Sequence, residues 1–443
     1  MRKAIFLLFF LSGFYNAKSQ KLWNLQECIE RASISNLSVI DQRLNSKLSD
    51  YAKIQSQLAL IPSLNLYSSQ VHNFGRAIDP LTNDFTIENV RSNNFSLVSS
   101  VTLFSGFQKL NLIKKKKIDS QEGLVNIERT INDISISVAN SFLQVLFAKE
   151  LLQISKEQLQ VSVLQVSRIK KMVEYGALAV GNLLEVESQM YAEELQLINS
   201  QNELEAAYLN IKQLLEINDN IDFEIKVPQI LIPDSINLPS TDHIYSFALT
   251  FFPQIKSASL KLSSSKKDLL IAKGARSPSI LLNSSIGTGF SDARFDILTG
   301  LKTPFDIQIE DNFSQSITLS LNIPIYNEWQ VNNSVQQAKI GVMKYENLLA
   351  QEKNQLRKEI EQARANVLAA EKQFSFAKKS AESFRESFRY FEQKYNLGII
   401  DTYEYNDAKI KLNKAESELV RAKYDFVFKL KIIDFYMGKK LTL

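Results

Sequence analysis

The sequence predicts a mostly α chain with a transmembrane β-barrel portion: duplicated strand–loop–strand hairpins joined to long coiled-coil helices. Three observations lead there. The chain runs through one order of segments twice, about 220 residues apart: Ile61-Pro62-Ser63-Leu64 returns as Ser277-Pro278-Ser279-Ile280, and Tyr175-Gly176 as Leu397-Gly398. Four uncharged stretches of about ten residues each have the length of a tilted strand in a bilayer. Two Pro-free runs of roughly 65 residues are long enough for helices of about 100 Å.

Residues 1–19 carry Arg2 and Lys3, then an apolar core from Ala4 to Phe14, then Ala17-Lys18-Ser19. That order marks a secretory signal, too short to span a bilayer. Beyond it no run of eighteen apolar residues exists, which excludes a transmembrane helix on that criterion. The mature chain then divides into a first repeat over 20–220, with a hairpin at 63–104, a linker over 221–240, and a second repeat over 241–443, with a hairpin at 279–325. Each repeat opens on a helix, from about Leu25 to Leu60 and from Thr241 to Lys273, and Pro253 is expected to kink or split the second.

Phe313 to Ile323 sets Phe313, Gln315, Ile317, Leu319, Leu321 and Ile323 against Ser314, Ser316, Thr318, Ser320 and Asn322. One face is apolar and the other small, polar and uncharged, which is the pattern of a barrel strand between lipid and a wet lumen. Phe95 to Leu103 and Ile280 to Phe290 alternate in the same way, while Leu64 to Phe74 is placed by its position in the repeat. A soluble sandwich would set Lys or Glu on its solvent face, and these faces have none. Aromatics at or beyond the strand ends, including Phe95, Phe104, Phe313, Tyr326 and Trp329, fit interfacial girdles. Four strands do not close a barrel, and an open edge in lipid leaves backbone groups unsatisfied, so the protomer must oligomerise. Strand physics alone leaves the number of copies open.

From Val331 to Tyr395 the apolar positions step by four and three with a single interruption at Glu352, a left-handed coiled-coil seam. Its counterpart runs from about Gln108 to Glu174, and shorter partners follow at Asn182 to Ile217 and Thr402 to Met437. The Lys114 to Lys117 run is a solvated helix face or a contact for anionic headgroups.

A formal net charge of +4 with 23% charged residues does not mark a nucleic-acid binder. The lone Cys28 is a buried helical thiol. His72 and His243 lie far apart, and there is no HExxH, Walker A, CxxC or Gly-x-Ser-x-Gly, so no metal, cofactor or enzymatic activity is expected.

Signal, duplicated hairpins and paired long helices together resemble the TolC-type outer-membrane efflux family over essentially all of the mature chain. The most specific part is Leu397-Gly398-Ile399-Ile400-Asp401 through Asp407-Ala408, similar to the family's turn, with a weaker copy from Tyr175-Gly176 through Asn182 and Glu185. Tyr424 to Tyr436 with Gly438 resembles the Bacteroidetes-type version. The resemblance implies a trimeric β-barrel in the outer membrane of a Gram-negative bacterium, continued by an α-helical tunnel across the periplasm. It implies a passive exit duct for a tripartite efflux or type I secretion system, with a periplasmic adaptor and an inner-membrane pump as partners and outer-membrane lipid around the barrel.

By the same resemblance, Glu404 and Asp407 fall where the family has acidic rings in its periplasmic gate, and Asn182 where the first repeat often has an acid. An Arg common in the gate network falls at Ile400, and Asp401 is its candidate substitute. The alternative for Glu404 and Asp407 is an exposed first helical turn, where acids favour the helix dipole. The turns at Gly176 and Gly398 are the expected docking points for an adaptor. Two rival functions stand beside the duct. A trimeric coiled-coil structural or adhesin-like outer-membrane protein without transport explains the heptads but not the uncharged hairpins. A periplasmic adaptor needs a β domain between its helices, and the short break at Leu397 leaves no room for one.

Overall fold

A computed structural model describes residues 22–75, 77–78, 83, 85–86, 89–218, 223–228, 236–296 and 298–443. The expected signal over 1–19 lies outside the described residues. The first half contains β1 (Leu22–Trp23), α1 (Leu25–Ser35), α2 (Leu37–Leu58), β2 (Ser63–Asn73), β3 (Ala77–Ile78), β4 (Phe85–Thr86), β5 (Val90–Ser105), α3 (Gln108–Glu174) and α4 (Val180–Leu215). The second contains β6 (Glu224–Ile225), α5 (Thr241–Phe251), α6 (Pro253–Gly274), β7 (Ser279–Ser291), α7 (Phe305–Asp311), β8 (Ser314–Asn322), α8 (Gln330–Asn396) and α9 (Thr402–Tyr436).

Among the described residues the chain divides into two compact units, one within 22–41, 128–251 and 355–443, the other within 42–127 and 252–354. Each draws on both sequence halves, so the packing units and the duplicated halves divide the chain differently. The first unit is helical around a core of Cys28, Val138, Phe142, Leu146, Ile211, Leu215 and Val427. The parallel pair β1–β6 closes over it, with Ile225 buried and Trp23 5.8 Å from Phe223. One window of α3 is apolar enough to cross a membrane by composition, although no uninterrupted apolar run marks it; 44% of that window is buried.

In the second unit the sheet order is β2-β5-β7-β8, antiparallel throughout. The β5–β7 pairing fuses the two hairpins into one sheet. Register aligns the faces across all four strands: Leu66, Leu97, Ile286 and Gln315 lie in one row, and Leu64, Ser99, Ser284 and Ile317 in the next of the same face. Opposite them run Asn65, Val98, Ser285 and Ser316. Hydroxyls bridge strands on that polar face, Ser63 to Ser100 at 3.0 Å and Ser285 to Ser316 at 2.8 Å. The sheet is open: β2 and β8 are its edges, and β8 is exposed along its whole length.

Beyond the sheet strands, α2 and α6 flank the start of α3. Asp50 takes a hydrogen bond from Ser120 at 2.6 Å, Lys115 pairs with Asp268 at 2.7 Å, and Gly123 leaves room for Ser46.

Several sequence expectations shift in detail. The helix expected from Leu25 to Leu60 breaks at Asn36. Its side chain accepts from Ser38 N at 3.0 Å, capping the start of α2, and donates to Leu214 O at 3.0 Å, holding the break in place. The split expected at Pro253 is present: α5 ends at Phe251 and Pro253 opens α6 at its first turn, where a missing N–H costs nothing. β5 begins at Val90 rather than Phe95, which places Phe95 inside the strand. The β7–β8 loop is not simply polar coil. It contains α7, held by the fully buried Gln308. The β8 pairing ends at Gly287 of β7. Beyond it Gln308 accepts from Ser291 N at 2.9 Å and donates to Ser291 O at 2.8 Å, so a side-chain amide replaces the absent strand.

Candidate functional site

The predicted gate and docking residues lie at or just after the two turns that join the long helices, all in the first unit. Both turns close with the same hydrogen-bond pattern. Gly176 N reaches Val173 O at 2.9 Å and Ala177 N reaches Met172 O at 2.8 Å; Gly398 N reaches Tyr395 O at 3.0 Å and Ile399 N reaches Lys394 O at 2.9 Å. This is the Schellman motif, which needs a left-handed residue, and the two glycines supply it with φ of +73° and +71°. Nothing lies within 4 Å of a Cβ placed on either, so backbone conformation alone selects glycine there.

The helices that follow start differently. Asp401 is the N-cap of α9 and its carboxylate accepts from Glu404 N at 2.9 Å. Ala179 holds the matching place before α4 and offers no side-chain cap. Asp401 is therefore engaged as a helix cap. Glu404 is exposed in the first turn of α9, and Asp407 pairs with Lys411 at 2.6 Å on the same helix. Asn182 accepts from Thr402 Oγ1 at 3.3 Å, which ties the first-repeat turn to the second. Arg168 and Asn396 add a second tie at 2.6 Å.

A third tie lies deeper and was not foreseen from sequence. Lys409 of α9 reaches Glu193 of α4 at 2.9 Å and Ser162 of α3 at 2.6 Å, while Ser162 donates to Glu193 at 2.5 Å. Gln189 also donates to Glu193, at 3.0 Å. The signal was present in the spacing. Val186, Glu193, Ser200 and Ala207 are one heptad apart and all buried, so a carboxylate in that seam requires a cation. At the places of the second repeat that match Ser162 and Glu193 stand Phe384 and Ala415, so this polar cluster has no symmetric counterpart. Beside it Tyr405 stacks on Tyr395 at 4.6 Å, and burial, reinforced by the nearby Glu392 charge, pushes its hydroxyl pKa up to about 12.

The expected girdle residues belong to the second unit. Phe104 sits near the end of β5, 5.4 Å from the Phe107 ring, and Phe313 is exposed before β8. Tyr326 and Trp329 are exposed between β8 and α8. Among the described residues no group of three or more His, Cys, Asp or Glu is arranged to hold a metal ion.

A family model described as "Outer membrane efflux protein" matches residues 29–215 and 244–438. The outer membrane protein TolC of Escherichia coli K12 is 21% identical over 422 residues, covering 94% of this chain and 82% of that protein. Among solved structures, the channel-forming protein CusC superposes with a TM-score of 0.78 at 18% identity, over 94% of this chain and 92% of that one. The Campylobacter jejuni CmeC outer membrane channel does so at 0.76 and 16% identity, over 94% and 85%.

Proposed function

The chain belongs to the outer membrane efflux protein family and is an outer-membrane efflux channel, and on that premise we propose that three copies complete its barrel and that the turns at Gly176 and Gly398 form its gate. The observation that supports assembly is the open four-stranded sheet, one face of which carries Leu or Ile on every strand. In hydrocarbon each unsatisfied backbone group costs several kcal/mol, and about eight strands is the smallest barrel whose interior side chains fill. A sister copy's β2 laid on β8 satisfies both edges, and three copies close the ring.

Ser63, Ser100, Ser285, Ser316 and their row neighbours then line a wet lumen, with Leu66, Leu97, Ile286 and Ile317 against lipid. The channel conducts passively; a periplasmic adaptor docks at the turns, and an inner-membrane pump supplies the energy. Glu404 and Asp407 set the charge of the constriction, and the ties from Thr402 to Asn182 and from Arg168 to Asn396 hold it shut. The Arg168 tie joins exposed groups, which water replaces at little cost, so it parts first on opening.

The double variant Leu66→Cys/Ile317→Cys tests the assembly. Within one copy β2 and β8 are three strand spacings apart, about 14 Å, too far for a disulfide, so a bond between these positions joins two copies. A trimer on a non-reducing gel, with conductance in planar bilayers, is expected. A water-soluble monomer that needs no detergent ends this proposal.

A further inference from the structure

The buried cluster of Ser162, Glu193 and Lys409 lies in a seam whose other members fix little along the helix axis. On α3 the residues one heptad apart are Ser155, Ser162 and Ile169, and on α4 they are Val186, Glu193, Ser200 and Ala207, all buried. The Ser155 and Ser200 hydroxyls meet at 3.0 Å in the same seam. To this α9 adds Ala408 and Ala415, also buried. Small side chains let one helix shift along another with little loss of packing, and a heptad seam offers the same face again after each repeat. Apolar contact here selects which faces meet but only weakly at what level.

Lys409 removes that freedom. Its ammonium reaches Glu193 of α4 at 2.9 Å and Ser162 of α3 at 2.6 Å, so one side chain of the second repeat is fixed on two helices of the first. Glu193 is held in turn by Ser162 and Gln189. Both charges are buried, and a displaced α9 would leave each unpaired in the seam. A buried pair contributes little net stability over an apolar one, and its best-attested use is to fix register.

Register matters at the turns. Lys409 lies eleven residues past Gly398 and Ser162 fourteen before Gly176, roughly 16–21 Å of helix away. The ties from Asn182 to Thr402 at 3.3 Å and from Arg168 to Asn396 at 2.6 Å span the same two repeats. A shift of one helical turn, about 5.4 Å, breaks both.

We propose that Lys409 and Glu193 are positioning residues for the gate: they pin α9 in register with α3 and α4, so that the two turns close at one level. This role rests on the reading of the turns as the gate. Lys409→Met/Glu193→Leu keeps the seam filled without charge, whereas Lys409→Glu/Glu193→Lys reverses the pair, and the Ser162 hydroxyl, both donor and acceptor, serves either order. Each is made with and without Asn182→Cys/Thr402→Cys, whose disulfide within one copy reports the level of the turns. The apolar variant should keep most of the native thermal midpoint, yet form that disulfide several-fold less and conduct several-fold more in planar bilayers. The reversed pair should restore both the disulfide and the native conductance.

An apolar variant that forms the disulfide and conducts as the native channel does overturns the pin. So does a reversed pair of native midpoint whose disulfide stays lost. A disulfide lost from the apolar variant while its conductance stays native leaves the pin standing and removes the turns from the gate.

Discussion

Lys409 and Glu193 form an ion pair of 2.9 Å whose side chains are only 5% and 7% exposed, with Ser162 hydrogen-bonded to both. It joins α9 of one repeat to α4 of the other in the first unit. Buried pairs of this kind add little net stability over an apolar pair, yet removal of one partner is severe because the other charge stays behind. Lys409→Met should therefore cost about 3–5 kcal/mol, seen as a lower thermal midpoint of the detergent-solubilised protein. Lys409→Met/Glu193→Leu should recover most of it. A double variant as unstable as the single would show that the pair itself, rather than the stranded carboxylate, carries the energy.

The two turn glycines predict a matched pair of losses. Alanine at Gly398 or Gly176 meets no neighbour but must take positive φ, a cost of about 1–2 kcal/mol. Asparagine, which tolerates that region, should lose less. Equal midpoints for alanine and asparagine would exclude backbone strain as the cause.

Helix capping separates the two turns. Asp401→Ala should lose about 1 kcal/mol with its hydrogen bond to Glu404 N. Ala179→Asp should gain a similar amount, because α4 has no side-chain cap to lose. Calorimetry on both variants checks the opposite signs, and a loss at position 179 would contradict the assignment.

Charge at the proposed constriction predicts selectivity. Glu404→Gln/Asp407→Asn should reduce preference for cations in planar bilayers, and the reduction should shrink as salt rises. Because Lys411 already pairs with Asp407, Lys411→Met alone should move selectivity the other way. Reversal potentials unchanged in both variants would remove these carboxylates from the gate.

In the β7–β8 loop, Gln308→Ala leaves Ser291 N and O without the amide that pairs them, at about 1–3 kcal/mol. The expected readout is proteolysis within 292–313 of intact cells, with the assembled protein still present in the membrane. A loop as resistant as the native one would mean that water satisfies Ser291 as well as the amide does.

What the sequence made legible was governed by periodicity. Heptads and Pro placement located α3, α8 and α6 closely, since long regular helices answer mainly to local pattern. The strands were legible where one face is apolar, as in Phe313 to Ile323. The start of β5 was not, because Arg91 interrupts the uncharged run, and only the fold places its guanidinium over Phe290 at 5.8 Å. The helix α7 was missed for a related reason: a short helix held by Gln308 depends on a strand edge that the sequence does not display. Glu193 and Lys409 read as ordinary helix charges until the register of α4 against α9 brought them together. Of the residues named for the gate, placement at the turns was legible, but the engagement of Asp401 as a cap and of Asp407 by Lys411 was not.

The twin glycine turns are alike in backbone and unlike in side chains. A visitor that grips only their peptide groups finds two seats on every subunit, whereas one that reads the acids after Gly398 finds a single seat. Which of these a docking protein does would be visible in its copy number, counted per channel, before any contact between the two was mapped.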